Sequence, residues 1–115
     1  MKKNAVFIWQ DRVLKKIYPD TIHCLTMDRN YTNIFVSEKD YVMVRCSLDN
    51  ALKVLPEDEF IKIHRSHAVP ISYIEEVGRD YVLISGKPIP LSRQYYKALM
   101  KKLPIIGRQS SLAKD

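Results

Sequence analysis

The segment Phe60-Ile61-Lys62-Ile63-His64-Arg65-Ser66-His67 gathers more chemically capable side chains than any other stretch of the sequence. Phe60–His64 alternates as a strand, with Phe60, Lys62 and His64 on one face and Ile61 and Ile63 on the other. Arg65 and Ser66 then fall at the strand's end, where rigid backbone can project a side chain. A guanidinium held there suits bidentate hydrogen bonding to guanine O6 and N7, or to a phosphate. Ser66 adds a hydroxyl or a backbone N–H for a phosphate. For any one arginine an unliganded surface position is the commoner reading, so Arg65 by itself decides nothing.

A second cluster, Ile89-Pro90-Leu91-Ser92-Arg93-Gln94-Tyr95-Tyr96-Lys97, turns the chain into a helix that Ser92 can cap. Free amide N–H groups and the positive end of the helix dipole favour a phosphate at such a start. Arg93 and Gln94, in the first turn, are placed to reach base edges or backbone. An ordinary capped helix shows the same pattern, and the two readings are compatible. Further upstream, Asp28-Arg29-Asn30-Tyr31-Thr32-Asn33 offers the Asn30 amide and the Tyr31 phenol at a strand-to-strand turn. Alone it is a turn and nothing more.

Catalytic and metal readings find little support. His64 and His67 are three positions apart in a strand-to-loop region, which points them to different faces. No cysteine or carboxylate cluster completes a shell around them. A buried His64 bonded to backbone is the better expectation. Ser66 and His67 do not make a nucleophile and base, because adjacent side chains in extended chain diverge and no glycine-rich oxyanion loop accompanies them. Cys24 and Cys46 sit 22 residues apart in apolar runs, neither zinc spacing nor a CxxC pair, and read as small buried hydrophobes. The sequence calls for no enzyme activity, no metal and no cofactor.

The elements that must position these residues are short. Ala5–Trp9 and Arg12–Tyr18 read as strands about a Gln10-Asp11 turn, followed by Thr21–Met27. Tyr31–Ser37 and Tyr41–Cys46 form a hairpin across Glu38-Lys39-Asp40, and Tyr73–Val77 and Tyr81–Ser85 another across Gly78-Arg79-Asp80. Leu48, Ala51, Leu52 and Leu55 make one helical stripe between Ser47 and Pro56, and Tyr96, Leu99, Met100 and Leu103 make a second before Pro104. Lys97, Lys101 and Lys102 lie off that stripe, solvated or facing a partner. About ten short strands and two short helices predict a mainly β domain over residues 1–104, with 105–115 a frayed basic tail. No two helical stripes lie a short turn apart, which excludes a helix-turn-helix.

The 115 residues carry 19 Lys and Arg against 13 Asp and Glu, a formal charge of +6. Residues 1–80 hold 12 bases and 12 acids, so all the excess belongs to the last third. That asymmetry suggests a polyanion-facing end, nucleic acid ahead of an anionic membrane surface, and on composition alone a solubilising basic tail carries about half the weight. No apolar run approaches the ~18 residues of a membrane span, and the apolar start stops at Gln10-Asp11-Arg12, too short for a signal sequence. A cytoplasmic protein is the default expectation.

Together these motifs resemble the LytTR-type DNA-binding domain of bacterial transcription regulators. The resemblance covers roughly Val6 to Leu103. It rests on His64-Arg65-Ser66 after a Phe-x-x-Ile strand and on Ile89-Pro90-Leu91-Ser92-Arg93 opening the last helix, with 27 residues between the arginines. Asn30-Tyr31, and Val44-Arg45-Cys46-Ser47-Leu48 before a helix ending Leu55-Pro56, are supporting marks. The resemblance implies an elongated all-β fold of three antiparallel sheets with short helices. It implies loops that enter successive major grooves of promoter repeats and bend the duplex, so that part of the specificity is read as DNA deformability. By position, Arg65, Arg93, Tyr31 and Asn30 are the base-contacting candidates. Charge and neighbourhood add Lys62, Ser66, Gln94, Lys97 and Lys101 as phosphate contacts. His67, where the family usually carries an aromatic, and Pro70, where it often carries Asn, depart from the pattern. Met1 runs directly into the first strand, so a stand-alone regulator is the direct reading, with a homodimer on DNA and a separate sensor or inhibitor protein left open as partners. A β-rich module docking on an acidic protein, and an RNA binder, are the alternatives that charge and composition leave standing.

Overall fold

A computed structural model describes residues 4–107. Within them ten strands form three antiparallel sheets, and two helices complete the fold. In chain order these are β1 (Val6–Gln10), β2 (Val13–Ile17), β3 (Cys24–Asp28), β4 (Tyr31–Phe35), β5 (Tyr41–Val44), α1 (Leu48–Val54), β6 (Phe60–His64) and β7 (His67–Pro70). The remainder are β8 (Ile74–Val77), β9 (Tyr81–Ile84), β10 (Lys87–Pro90) and α2 (Arg93–Lys102). The central sheet has the order β5-β4-β3-β7-β6, the β1-β2 hairpin forms a second sheet, and β10-β9-β8 the third. The expected architecture of short strands in three antiparallel sheets is what the structure contains. The molecule measures 57 × 35 × 24 Å along its principal axes, so it is elongated.

Strand alternation explains why the central sheet is covered on both sides. Leu25, Ile34, Phe60 and Ala68 project to one face and join Ile8 from β1 and Leu48 and Leu55 around α1. Their immediate neighbours Cys24 and Val69, with Phe35 and Ile61 partly buried, project to the other face. There they meet Val82, Ile84 and Ile89 of the third sheet and Leu99 of α2. Successive residues of one strand thus serve two cores. Both predicted helical stripes face inward: Leu48, Ala51, Leu52 and Leu55 in the first core, Tyr96, Leu99, Met100 and Leu103 in the second.

Local chemistry sets the element ends. The Ser47 side chain accepts a hydrogen bond from the Asn50 N–H at 3.1 Å and caps α1. Ser92 occupies the N-cap position of α2, but its side chain makes no capping bond; its carbonyl accepts from the Tyr95 N–H at 3.0 Å. In the β8–β9 turn Gly78 lies so close beneath the Tyr81 ring that a Cβ has no room.

Three expectations need correction. The first hairpin turns at Asp11-Arg12, one residue later than Gln10-Asp11, and both turn residues have positive φ, 51° and 69°. That is the geometry of a two-residue turn whose twist matches the flanking strands, and moving the turn by one residue slides the pairing by two, so Trp9 meets Leu14 and the faces of β2 are kept. Second, residues 67–70, where the sequence pattern predicts no element, form β7, an inner strand of the main sheet between β3 and β6. Ala68, Val69 and Pro70 are all buried, so the segment has no polar–apolar alternation to read. Pro70 sits at its last residue, past the Leu25–Ala68 and Thr26–His67 pairs with β3, where a missing N–H breaks no ladder bond with that strand. Third, the β6–β7 register shifts between Lys62 and His64, a bulge at Ile63. The His64 and His67 rings, expected on different faces, lie 4.9 Å apart.

No helix among the described residues is long and apolar enough to cross a membrane. Residues 108–115 of the expected tail lie outside the described residues. Replacing the fully buried Leu99 with Ala removes α2's main anchor and is predicted to cost about 2–5 kcal/mol in urea unfolding. Val54→Ala, at a side chain 65% exposed, is predicted to change stability by less than about 0.5 kcal/mol in the same measurement.

Candidate nucleic-acid interface

The antiparallel order of the central sheet brings several turns to one end. β3 and β4 join there through Arg29-Asn30, β6 and β7 through Arg65-Ser66, and β5 ends there at Val44, opposite Thr32. Two backbone hydrogen bonds lock this end together. The Met27 N–H donates to the Ser66 carbonyl at 2.8 Å, joining the Arg65-Ser66 turn to the last residues of β3. The Ser92 N–H donates to the Ile63 carbonyl at 2.9 Å, docking the start of α2 on the end of β6. Arg93 and Arg65, far apart in sequence, are therefore each within two residues of the same bond.

Arg65, Arg93, Asn30, Gln94, Lys97 and Lys101 are exposed, and Tyr31 and Ser66 are half-buried. Arg93, Lys97 and Lys101 follow one another at four-residue intervals along α2, so they share a solvent-facing row. Lys62 is differently placed: its ammonium is 2.9 Å from the Asp49 carboxylate and its side chain is 24% exposed. The pair uses one of the ammonium's three N–H donors and holds the side chain toward Asp49.

The structure adds Arg29 and Arg45 to the same end, both exposed, neither singled out by the sequence reading. Arg29 holds the left-handed position of the β3–β4 turn, at φ 59°. Arg45 leaves β5 just before the Cys46 carbonyl, which accepts the Thr32 hydroxyl at 2.9 Å. Their signal was topological. A motif scan weighs each turn separately, while only the strand order places these turns side by side. Among the described residues no group of three or more His, Cys, Asp or Glu could hold a metal ion.

The chain matches the model of the LytTr DNA-binding domain over residues 12–104. It belongs to that family. The sensory transduction protein LytT of Bacillus subtilis is 37% identical over 92 residues, 75% of this chain and 37% of LytT. Its counterpart LytT of Enterococcus faecalis is 28% identical over 108 residues, 89% of this chain and 44% of that protein. The chain thus spans less than half the length of these curated relatives. A solved LytTr DNA-binding domain from Bacillus cereus shares the fold, with a TM-score of 0.74 at 22% identity, covering 90% of this chain and 99% of that one.

His67 opens β7 immediately after the Arg65-Ser66 turn. Its Nδ1 is 3.1 Å from the Thr26 hydroxyl, and its ring faces His64, whose Nδ1 accepts the Ser66 N–H at 3.0 Å. Burial lowers the His67 pKa below its ordinary 6.5, and the neighbouring His64 and Lys87 lower it further. The native state therefore takes up His67's proton less readily than the unfolded chain. Its contribution to stability is complete above pH 6.5 and is lost as pH falls from there through the native-state value. His67→Phe, which keeps a ring but removes the titrating nitrogens, is predicted to shrink the drop in urea midpoint between about pH 7.5 and pH 5. An unchanged drop in the variant contradicts this account.

Proposed function

We propose that this chain is the DNA-reading part of a bacterial transcriptional regulator, binding specific double-stranded sites through the turn-bearing end of its central sheet, without catalysis. The observation that carries the reading is the convergence of Arg65, Arg93 and the Arg29-Asn30 turn at that end, tied by the Met27–Ser66 and Ser92–Ile63 backbone bonds. Turns are short and rigidly anchored there, so the ordering of long flexible loops does not tax binding. The arginines supply bidentate donors for guanine, and Asn30 an amide suited to adenine. Tyr31 adds a phenol hydroxyl at the same turn.

Ser66, Gln94, Lys97 and Lys101, together with Lys62, serve the phosphate backbone. Such contacts fix register and orientation without reading sequence. The 57 Å length exceeds one helical turn of B-DNA, about 34 Å, which supports contact with successive grooves on one face, as promoter repeats present them. The relatives are sensory transduction proteins, which supports a regulatory setting. Action inside the bacterial cytoplasm, with a second copy on DNA and an upstream sensor, completes the proposal.

The test starts from sites selected out of random duplex DNA. On the selected duplex, Arg65→Ala and Arg93→Ala are each predicted to lose about 1–3 kcal/mol of binding and to relax preference at separate base pairs. Lys97→Ala is predicted to weaken all duplexes alike. With four to six phosphates neutralised, log K falls against log salt with a slope of about −4 to −5. No enriched site, salt-independent affinity, or RNA that competes as well as the selected duplex rejects the proposal.

A further inference from the structure

A cleft of about 340 Å³ opens between β1 and α1, and one end of it reaches Arg45 at the turn-bearing end of the sheet. That volume is in the range of sites for small organic ligands, about 300–1,000 Å³. Its floor is the first core itself, the buried side chains of Ile8, Ile22, Ile34 and Leu55. Its rim carries large apolar groups in water, Phe7 at 57%, Trp9 at 63% and Val54 at 65% exposed. Exposed apolar groups gathered around a concave apolar floor mark a binding surface, whereas single exposed hydrophobics do not. Only one end is polar. There Arg45 and Asn50 line the cleft, and Arg45 has no ion-pair or hydrogen-bond partner among the described residues.

The occupant that satisfies both ends has an apolar body and a single anionic head. A purely apolar body leaves the guanidinium unmatched, and a polyanion has no use for the floor. We propose that this cleft binds an anionic amphiphile of the fatty-acid class, its chain over Ile8 and Leu55 and its carboxylate on the Arg45 guanidinium. The guanidinium fork matches a carboxylate with two parallel N–H···O bonds, and Asn50 also lines the cleft. The site goes beyond DNA reading and does not rest on it, although it shares Arg45 with the turn-bearing end.

Trp9 is the chain's one tryptophan and stands on the rim, so its fluorescence reports occupancy directly. Titration with decanoate, kept below its micelle-forming concentration and without DNA, is expected to shift Trp9 emission to the blue and to saturate. Decanol, with the same chain and no charge, is expected to bind about tenfold more weakly, the effect of one charge-assisted contact. Arg45→Gln is expected to erase that difference. Ala51→Phe, which fills the floor, is expected to abolish both titrations. Val54→Glu, at an exposed rim position that leaves folding intact, is expected to weaken decanoate more than decanol. A non-saturating response, equal affinity for decanoate and decanol in the unaltered chain, or an emission shift that follows dimerisation in sedimentation rather than added decanoate, overturns the proposal.

Discussion

The hydrogen bond from the Ser92 N–H to the Ile63 carbonyl joins the two halves of the functional end. Everything distinctive about this surface depends on α2 beginning where β6 finishes. Without that junction Arg93 belongs to a helix start on the second core and Arg65 to a hairpin turn, two isolated cations of little consequence. With it, two guanidiniums project from adjacent rigid backbone. The Ile63 bulge contributes to the same junction, because the register shift brings His64 over His67 and leaves the His64 Nδ1 to accept the Ser66 N–H. Bulges next to functional turns commonly re-aim side chains in this way.

The two-sided central sheet explains how so small a chain holds several turns stiffly. Each inner strand divides its side chains between two cores, so neither face is left to solvent and each turn is anchored by buried residues on both sides. Leu25 and Cys24 do this at β3, as Ala68 and Val69 do at β7. Four of the seven bases of the last third, Arg93, Lys97, Lys101 and Lys102, lie on α2. Arg29, Arg45 and Arg65 belong to the net-neutral first 80 residues, where charge composition gave no indication of a binding surface.

Much of the fold was legible because its signals are local. The stripes Leu48–Leu55 and Tyr96–Leu103, and the three-residue loop at Gly78, needed only period and turn chemistry. The parts that were not legible are non-local. β7 is a short strand buried on both faces and ending in proline, and only its neighbours β3 and β6 make it a strand. The His64–His67 contact depends on a bulge that no residue pattern announces. The two motifs of the site could be read one at a time, whereas their junction, and the company of Arg29 and Arg45, follow from the strand order β5-β4-β3-β7-β6.

Backbone amide NMR during titration with a duplex selected from random DNA tests the central claim most directly, since it asks every part of the molecule the same question. The account predicts that shifts concentrate at residues 28–31, 44–46, 64–67 and 92–94 and run along the exposed row of α2. It predicts silence at the opposite end of the sheet, around Pro19, Asp58 and Ile71. Shifts centred there, or on the β8–β9 hairpin, would contradict it.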